Sequence, residues 1–194
     1  RWGLSGESVS PPVTGILLLA GVFLAYMKGG GSEEAKRRAG ESAASAVEAG
    51  MVVGLGTGST AAHAIETLGR RVDAGLDIAG VPTSFQARER AIEAGIPRTS
   101  LDEATPDVAI DGADQVAGGN LIKGGGAAHT REKIVDAAAG RLLVVVDHTK
   151  EAEKLDERVP VEVLPDARST VASAVRIQGG EPTLRRAERK DGPV

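Results

Sequence analysis

Four short apolar segments, each separated from the next by a stretch with helical periodicity, most constrain how this chain can fold. The segments are MVVGLG, LDIAGVPTS, PDVAIDGAD and RLLVVVD, and none of them alternates regularly between apolar and polar residues. Strands without such alternation are buried on both faces, which is typical of parallel sheets covered by helices. The sequence therefore predicts an α/β fold, a Rossmann-like parallel sheet with helices on both faces.

The two ends of the chain differ from this repeating part. Residues 1–26 contain the apolar run VTGILLLAGVFLAY, which is shorter than the ~20 residues needed to cross a bilayer and lacks a cleavage site. We expect this segment to lie outside the fold and a large catalytic domain to occupy residues 27–150, beginning with a helix capped by Ser32. Residues 151–194 are expected to begin a smaller α+β subdomain, with a strand at VPVEVLP, that is truncated at its C-terminal end.

Composition excludes several classes of function. The chain has no cysteine, which rules out disulfides and thiolate metal sites and favours a reducing, cytoplasmic setting. A net charge of −4 and 2% aromatic residues argue against a nucleic-acid binder. His63, His129 and His148 are scattered without metal-ligand spacing, so no metal site is predicted.

The loop GLGTGST joins the first apolar segment to a predicted helix. Its glycines let the backbone approach a ligand, and Thr57, Ser59 and Thr60 offer hydroxyls beside a helix N-terminus, which attracts anions. The loop thus favours a phosphate site, although a tight turn with an ordinary helix cap is the alternative. Its G-x-G-x-G spacing, and the absence of an acid at the end of the second segment, disfavour a dinucleotide.

Two further loops carry charge. Asp111 and Asp114 of DGAD follow the third strand, so both are expected at the same edge of the sheet as the phosphate loop, although either could simply belong to a turn. Lys123 precedes three glycines, and an ammonium beside backbone amides suits a developing oxyanion. A purely structural glycine loop is the alternative.

Glu132 is the predicted general base. It falls at the edge of a helical apolar stripe formed by Ala128, Ile134, Val135, Ala138 and Ala139. Partial desolvation there tends to raise a carboxyl pKa towards the range of a general base. The alternative is an ordinary surface carboxylate, because Lys133 and Asp136 are expected to be solvated charges nearby.

These motifs together resemble a known family. The blocks GLGTGSTAAHAI, DGAD, IKGGGAAHTREKI and LPDARSTVA are similar, in order and spacing, to the signature blocks of type A ribose-5-phosphate isomerases. The resemblance implies interconversion of D-ribose 5-phosphate and D-ribulose 5-phosphate in the non-oxidative pentose phosphate pathway. It also implies a homo-oligomer that acts on a small phosphosugar and needs neither metal nor cofactor.

The resemblance also assigns residues. It implies Glu132 as the proton acceptor, Lys150 as a substrate-binding lysine and, more weakly, Lys36 as a phosphate contact. The implied substrate loops are Thr57, Gly58, Ser59 and Thr60; Asp111, Gly112, Ala113 and Asp114; and Lys123, Gly124, Gly125 and Gly126.

Two other functions compete with this interpretation. A non-catalytic sugar-phosphate sensor on a related fold would keep the phosphate loop and lose the base, but Glu132 is present. A nicotinamide-dependent dehydrogenase is disfavoured by the loop spacing. No nucleic-acid or membrane partner is predicted.

Overall fold

The computed structural model describes residues 32–185, so the segment expected outside the fold, residues 1–26, lies beyond the described part. The helices there are α1 (Ser32–Ser45), α2 (Ser59–Asp73), α3 (Phe85–Glu93), α4 (His129–Ala138) and α5 (Arg168–Ile177). The strands are β1 (Val52–Leu55), β2 (Ala79–Pro82), β3 (Val108–Asp111), β4 (Gln115–Ala117), β5 (Asn120–Ile122) and β6 (Leu142–Val144). Two short 3-10 helices span His148–Lys150 and Pro165–Ala167.

Four of these strands form one parallel sheet in the order β2-β1-β3-β6. The chain moves one way from β1 to β2 and the opposite way from β3 to β6. Right-handed crossovers then place the connecting helices on opposite faces of the sheet. The predicted α/β fold is therefore confirmed, and the direction reverses between β1 and β3, where such sheets open a crevice at the carboxyl ends of the strands.

Small residues let the helices approach this sheet closely. At Gly54 in β1, a Cβ would lie 3.0 Å from Val135 Cγ1 of α4 and 2.8 Å from Ala109 Cβ of β3. At Gly40 in α1, it would lie 2.7 Å from the backbone nitrogen of Ala64 in α2. The lack of a side chain at these two positions therefore fixes how near α4 lies to the sheet and α1 to α2.

An antiparallel hairpin follows the main sheet's third strand and was not predicted. Strands β4 and β5 pair through a turn at Gly118 and Gly119, whose φ angles of 53° and 87° suit glycine. Gln115 in β4 holds the later chain, because its Nε2 donates to Asp156 Oδ1 at 2.6 Å and its Oε1 accepts from the Asp156 amide at 2.8 Å. The chain between Asp114 and Lys123 is therefore an anchored hairpin.

The chain divides into two compact units between Pro160 and Val161. The second unit contains the helix α5, but the strand expected at VPVEVLP is wrong, since residues 159–164 form no regular structure. An isolated extended segment needs a neighbouring strand to be stable. Across residues 32–185, no helix is both long and apolar enough to cross a membrane.

Candidate active site

The loop after β1 lies directly against the end of β3. Gly56 donates its amide to the Ile110 carbonyl at 2.9 Å, and a Cβ at Gly56 would lie 2.3 Å from that oxygen and 2.4 Å from Asp111 Oδ1. Gly58, with φ 104°, then turns the chain into α2. The N-terminus of α2 therefore opens beside the carboxylate that ends β3.

Thr57 is held from two sides. Its amide donates to Asp111 Oδ1 at 3.0 Å, and its hydroxyl donates to Ser84 Oγ at 2.7 Å. The same hydroxyl lies 3.0 Å from Thr83 Oγ1. Ser84 in turn caps α3 by accepting from the Ala87 amide at 3.0 Å. The side chain of Thr57 therefore fixes the loop, which leaves Ser59, Thr60 and the amides of α2 to face the cavity.

Lys123 is the best-connected cation of the site. Its Nζ donates to Asp111 Oδ2 at 2.7 Å and to the Gly112 carbonyl. Glu132 Oε2 lies 4.0 Å from Nζ and Asp136 Oδ2 lies 3.7 Å from it. Burial alone would lower the pKa of Lys123, but the charges of Asp111, Asp136 and Glu132 hold that pKa above its ordinary value. Lys123 is therefore a permanently charged ammonium near neutral pH.

Glu132 is more deeply buried than the sequence indicated, with 4% of its surface exposed. It shares the inner face of α4 with Val135, whereas Ile134 is 54% exposed. The predicted stripe was wrong at Ile134 because two residues along a helix is a rotation of about 200°. A buried carboxylate beside an ammonium and a cavity can serve as a base.

Asp136, expected as a solvated charge, is instead part of the site. Its side chain is 8% exposed and lies one helical turn after Glu132. Burial, and then the neighbouring Asp111, raise the pKa of Asp136 to about 7, while Lys123 acts in the opposite direction. This second carboxyl was missed because its i,i+4 spacing from Glu132 was not used to place it on the same face.

The glycine loop after Lys123 packs on two polar side chains. Gly125 donates its amide to Asp114 Oδ2 at 2.7 Å, and a Cβ at Gly125 would lie 2.3 Å from Asp114 Oδ1. At Gly124, with φ 102°, a Cβ would lie 2.8 Å from Cγ of His129. His129 Nδ1 lies 4.0 Å from Glu132 Oε2. The loop conformation therefore requires glycine, and Asp114 holds it in place.

Residues that follow β6 form another wall of the cavity. The buried Asp147 accepts from the Thr149 amide at 2.8 Å and from the Thr149 hydroxyl, which caps the 3-10 helix carrying Lys150. Lys36 enters from α1, where its hydrogen bond to Glu33 at 2.7 Å raises its pKa, with a smaller contribution from Asp147. Two ammonium groups, from Lys36 and Lys150, therefore belong to this wall.

These groups surround a cavity of about 320 Å³, a size suited to a small ligand. All residues that the sequence singled out line it: Lys36, Thr57, Gly58, Ser59, Thr60, Asp111, Gly112, Ala113, Asp114, Lys123, Gly124, Gly125, Gly126, Glu132 and Lys150. Four lining residues were not predicted, Val145, Val146, Asp147 and Thr149. Their position after β6, at the same sheet edge, was the available signal.

Side chains that could bind a metal ion are not clustered in the part of the chain that the structure describes. Among residues 32–185, no cluster of three or more His, Asp or Glu side chains is arranged to hold a metal ion. The carboxylates of the cavity are directed at Lys123 and at backbone amides. Lysines and the N-terminus of α2 bring positive charge to the cavity.

The family model and the sequence relatives that match this chain indicate the same family. The model of the family described as ribose 5-phosphate isomerase A (phosphoriboisomerase A) matches residues 79–194. A ribose-5-phosphate isomerase A of Haloarcula marismortui is 70% identical over 168 residues, which cover 87% of this chain and 74% of the relative.

Solved structures agree with these sequence matches. The ribose 5-phosphate isomerase A of Methanocaldococcus jannaschii superimposes with a TM-score of 0.79 at 46% identity, covering 84% of this chain and 75% of that one. A D-ribose-5-phosphate isomerase in complex with phospho-erythronic acid gives a TM-score of 0.79 at 45% identity, covering 85% and 75% of the two chains.

Proposed function

Because the chain belongs to the ribose 5-phosphate isomerase A family, we propose that the cavity described above is where it interconverts D-ribose 5-phosphate and D-ribulose 5-phosphate. The observation that carries the proposal is the buried Glu132 carboxylate, 4.0 Å from the Lys123 ammonium, at a cavity that also receives a helix N-terminus. A base, a cation and an anion site are the groups that isomerisation of a phosphorylated aldose requires.

The phosphate end is assigned to the N-terminus of α2. The amides there are not used by the helix itself, and the hydroxyls of Ser59 and Thr60 lie among them. Lys150 and Lys36 add positive charge from the other wall. One relative binds phospho-erythronic acid, and a phosphorylated acid likewise needs an anion site for its phosphate. Binding at this remote end positions the sugar for reaction.

Glu132 is the group that moves the proton. It takes the proton from C2 of the open-chain aldose and returns it to C1 of the enediolate, while the hydroxyl proton on O2 passes to O1. One carboxylate thus serves both carbon proton transfers. The reverse transfer, from C1 to C2, converts the ketose back to the aldose.

Lys123 and the neighbouring amides stabilise the enediolate oxygen. An ammonium fixed before the proton moves gives more stabilisation to the developing negative charge than to the neutral substrate. Asp111 holds both Lys123 and Thr57, and Asp114 holds Gly125. We assign the two aspartates to this anchoring and to orienting the sugar hydroxyls or assisting ring opening.

Direct assay tests the proposal and its metal independence together. We expect the purified chain to form ribulose 5-phosphate from ribose 5-phosphate at the same rate before and after exhaustive chelation, since lysine and amide groups supply the electrophile. The readout is ketose formation with and without chelator, followed by addition of single divalent ions. Activity that is lost on chelation and restored by one ion would contradict the mechanism.

The phosphate assignment predicts a separate effect on binding. Ser59→Ala removes a hydroxyl at the α2 N-terminus, and a hydrogen bond to a charged group contributes about 1.5–3 kcal/mol. We expect KM for ribose 5-phosphate to rise by roughly tenfold or more, with kcat changed only a few-fold. Ser173→Ala, an exposed serine in α5, is the matched control. A lowered kcat at unchanged KM would place Ser59 at the reacting carbons instead.

The sensor alternative retains the phosphate site and lacks turnover. It is disfavoured because a binding-only site has no use for a carboxylate that is 4% exposed and lies beside a buried ammonium. Saturable binding of ribose 5-phosphate without any ketose formation would support it.

The proposal also covers the domain that carries the site, the oligomeric state and the cellular location. We assign catalysis and substrate binding to the large domain, residues 27–150, which contains every residue of the candidate site. A homo-oligomer is supported by exposed apolar side chains such as Phe85, 80% exposed, and Ile134. The absence of cysteine supports a cytoplasmic setting. Light scattering of the purified chain tests the oligomer directly.

A further inference from the structure

Asp136 takes no part in the mechanism above, although it is a buried titratable group beside the reacting residues. Resting on the proposed isomerase function, we propose that Asp136 is a positioning residue, whose protonated form pairs with Asp111 and so keeps the third N–H of Lys123 for the substrate oxygen. The role is that of a group that acts through Lys123 rather than on the sugar.

The argument begins with the donors of Lys123. An ammonium has three N–H groups, and two of them are used by Asp111 Oδ2 and the Gly112 carbonyl. The carboxylate oxygens next in distance are on Asp136, at 3.7 Å, and Glu132, at 4.0 Å. Both distances are too long for a hydrogen bond. The third N–H is therefore available to a ligand in the cavity, which Lys123 lines.

The protonation state of Asp136 decides whether the third N–H of Lys123 stays available to a ligand. An ionised Asp136 would draw the third N–H towards itself, since a charge-assisted hydrogen bond forms readily over a small shift of a lysine side chain. A protonated Asp136 has its own hydrogen to donate and exerts no such attraction. The proposal therefore requires the neutral acid in the active enzyme.

Three features of the surroundings favour that neutral acid. Asp136 Oδ1 is buried and has no hydrogen-bond partner among the described residues, which would be costly for an ionised oxygen. Asp111, on β3, and Glu132, one turn earlier on α4, are like charges that disfavour a third one, and a hydrogen bond to Asp111 suits an acid. Lys123, on the segment after β5, is the cation that acts against them, and His129 faces Glu132. Together, burial and these neighbours give Asp136 a pKa of about 7.

The proposal predicts how the pH profile of kcat/KM depends on Asp136. Above neutral pH, Asp136 ionises in the free enzyme and captures the donor, so we expect kcat/KM of the parent to fall by about tenfold between pH 6.5 and 8.5. Asp136→Asn cannot ionise, and its amide can still donate to Asp111. We expect it to lose less than threefold over the same range and to exceed the parent at pH 8.5. Asp102→Asn, an exposed aspartate, should keep the profile of the parent.

Two results would overturn this inference. One is an alkaline fall in Asp136→Asn as steep as that of the parent, and the other is a rate lowered equally at every pH, which would indicate a purely structural role. If the variant does not fold, the parent's Asp136 side chain can be titrated by carbon NMR, with an expected midpoint near 7. A midpoint below 5 would overturn the inference. This titration needs no turnover, so its outcome is separate from any failure of the isomerase assay.

Discussion

Glu132→Gln is expected to lower kcat for ribose 5-phosphate by at least ~10² and up to ~10⁴, while KM changes only slightly. Glutamine keeps the size and polarity of the side chain but lacks a lone pair basic enough to take a proton from carbon. The proposed phosphate end lies on α2 and on the 3-10 helix after β6, and not on the substituted helix α4. Binding should therefore survive while proton transfer fails.

The measurement for Glu132 has a matched control. Glu93→Gln changes an exposed glutamate at the end of α3 and should leave both kcat and KM unaltered. Exchange of the C2 hydrogen with solvent, followed in deuterium oxide, should disappear together with kcat in Glu132→Gln. Turnover within a few-fold of the parent would reassign the base to Asp111 or Asp114.

Lys123→Met is expected to damage both catalysis and folding. Oxyanion stabilisation of this kind is commonly worth ~10² to 10³ in kcat. The substitution also leaves Asp111, Glu132 and Asp136 without the ammonium that their charges surround. Removal of one partner from a buried ion pair typically costs about 3–5 kcal/mol of unfolding free energy, so a loss of that order is expected at pH 8.

The loss of unfolding free energy in Lys123→Met should be larger at high pH than at low pH. Without Lys123 the pKa of Asp136 rises above its value of about 7 in the parent, against an ordinary value of 3.8. Between those values the folded state binds more protons than the unfolded state, so stability increases as the pH falls. Denaturant unfolding should therefore show a smaller loss at pH 5 than at pH 8.

Lys133→Met, the exposed neighbour on α4, is the control for these unfolding measurements. It should change the unfolding free energy by no more than ~0.5 kcal/mol at either pH. A loss in Lys123→Met that is equal at the two pH values would show that the effect comes from packing and not from charge.

The main elements of the site could be predicted because the sheet is parallel. Once the apolar segments are taken as parallel strands, the residues that follow them must meet at one edge. This is why Thr57 after β1 and Asp111 at the end of β3 were expected together, whereas Lys150 after β6 was implied by the family resemblance. The structure places all three at one cavity. Their catalytic and binding roles stay predictions.

The charge network within the site could not be predicted in the same way. Helical periodicity treats the inner face of α4 as apolar, but that face meets the Lys123 ammonium, so Glu132 and Asp136 point inward while Ile134 points out. The β4–β5 hairpin was hidden because its strands are only three residues long. Both depend on contacts between segments that a local pattern does not contain.

The strand order also has a consequence for the time at which this protein becomes active during its synthesis. Strand β1 can pair with β3 only after more than 50 further residues have been made, and β3 can pair with β6 only later still. The crevice has both walls only after both pairings have formed. Pairings so distant along the chain form slowly. When the ribosome has released the chain only as far as α4, Glu132 and Lys123 have emerged, but the wall that carries Lys150 has not. Isomerase activity should therefore appear in one step, after β6 joins the sheet.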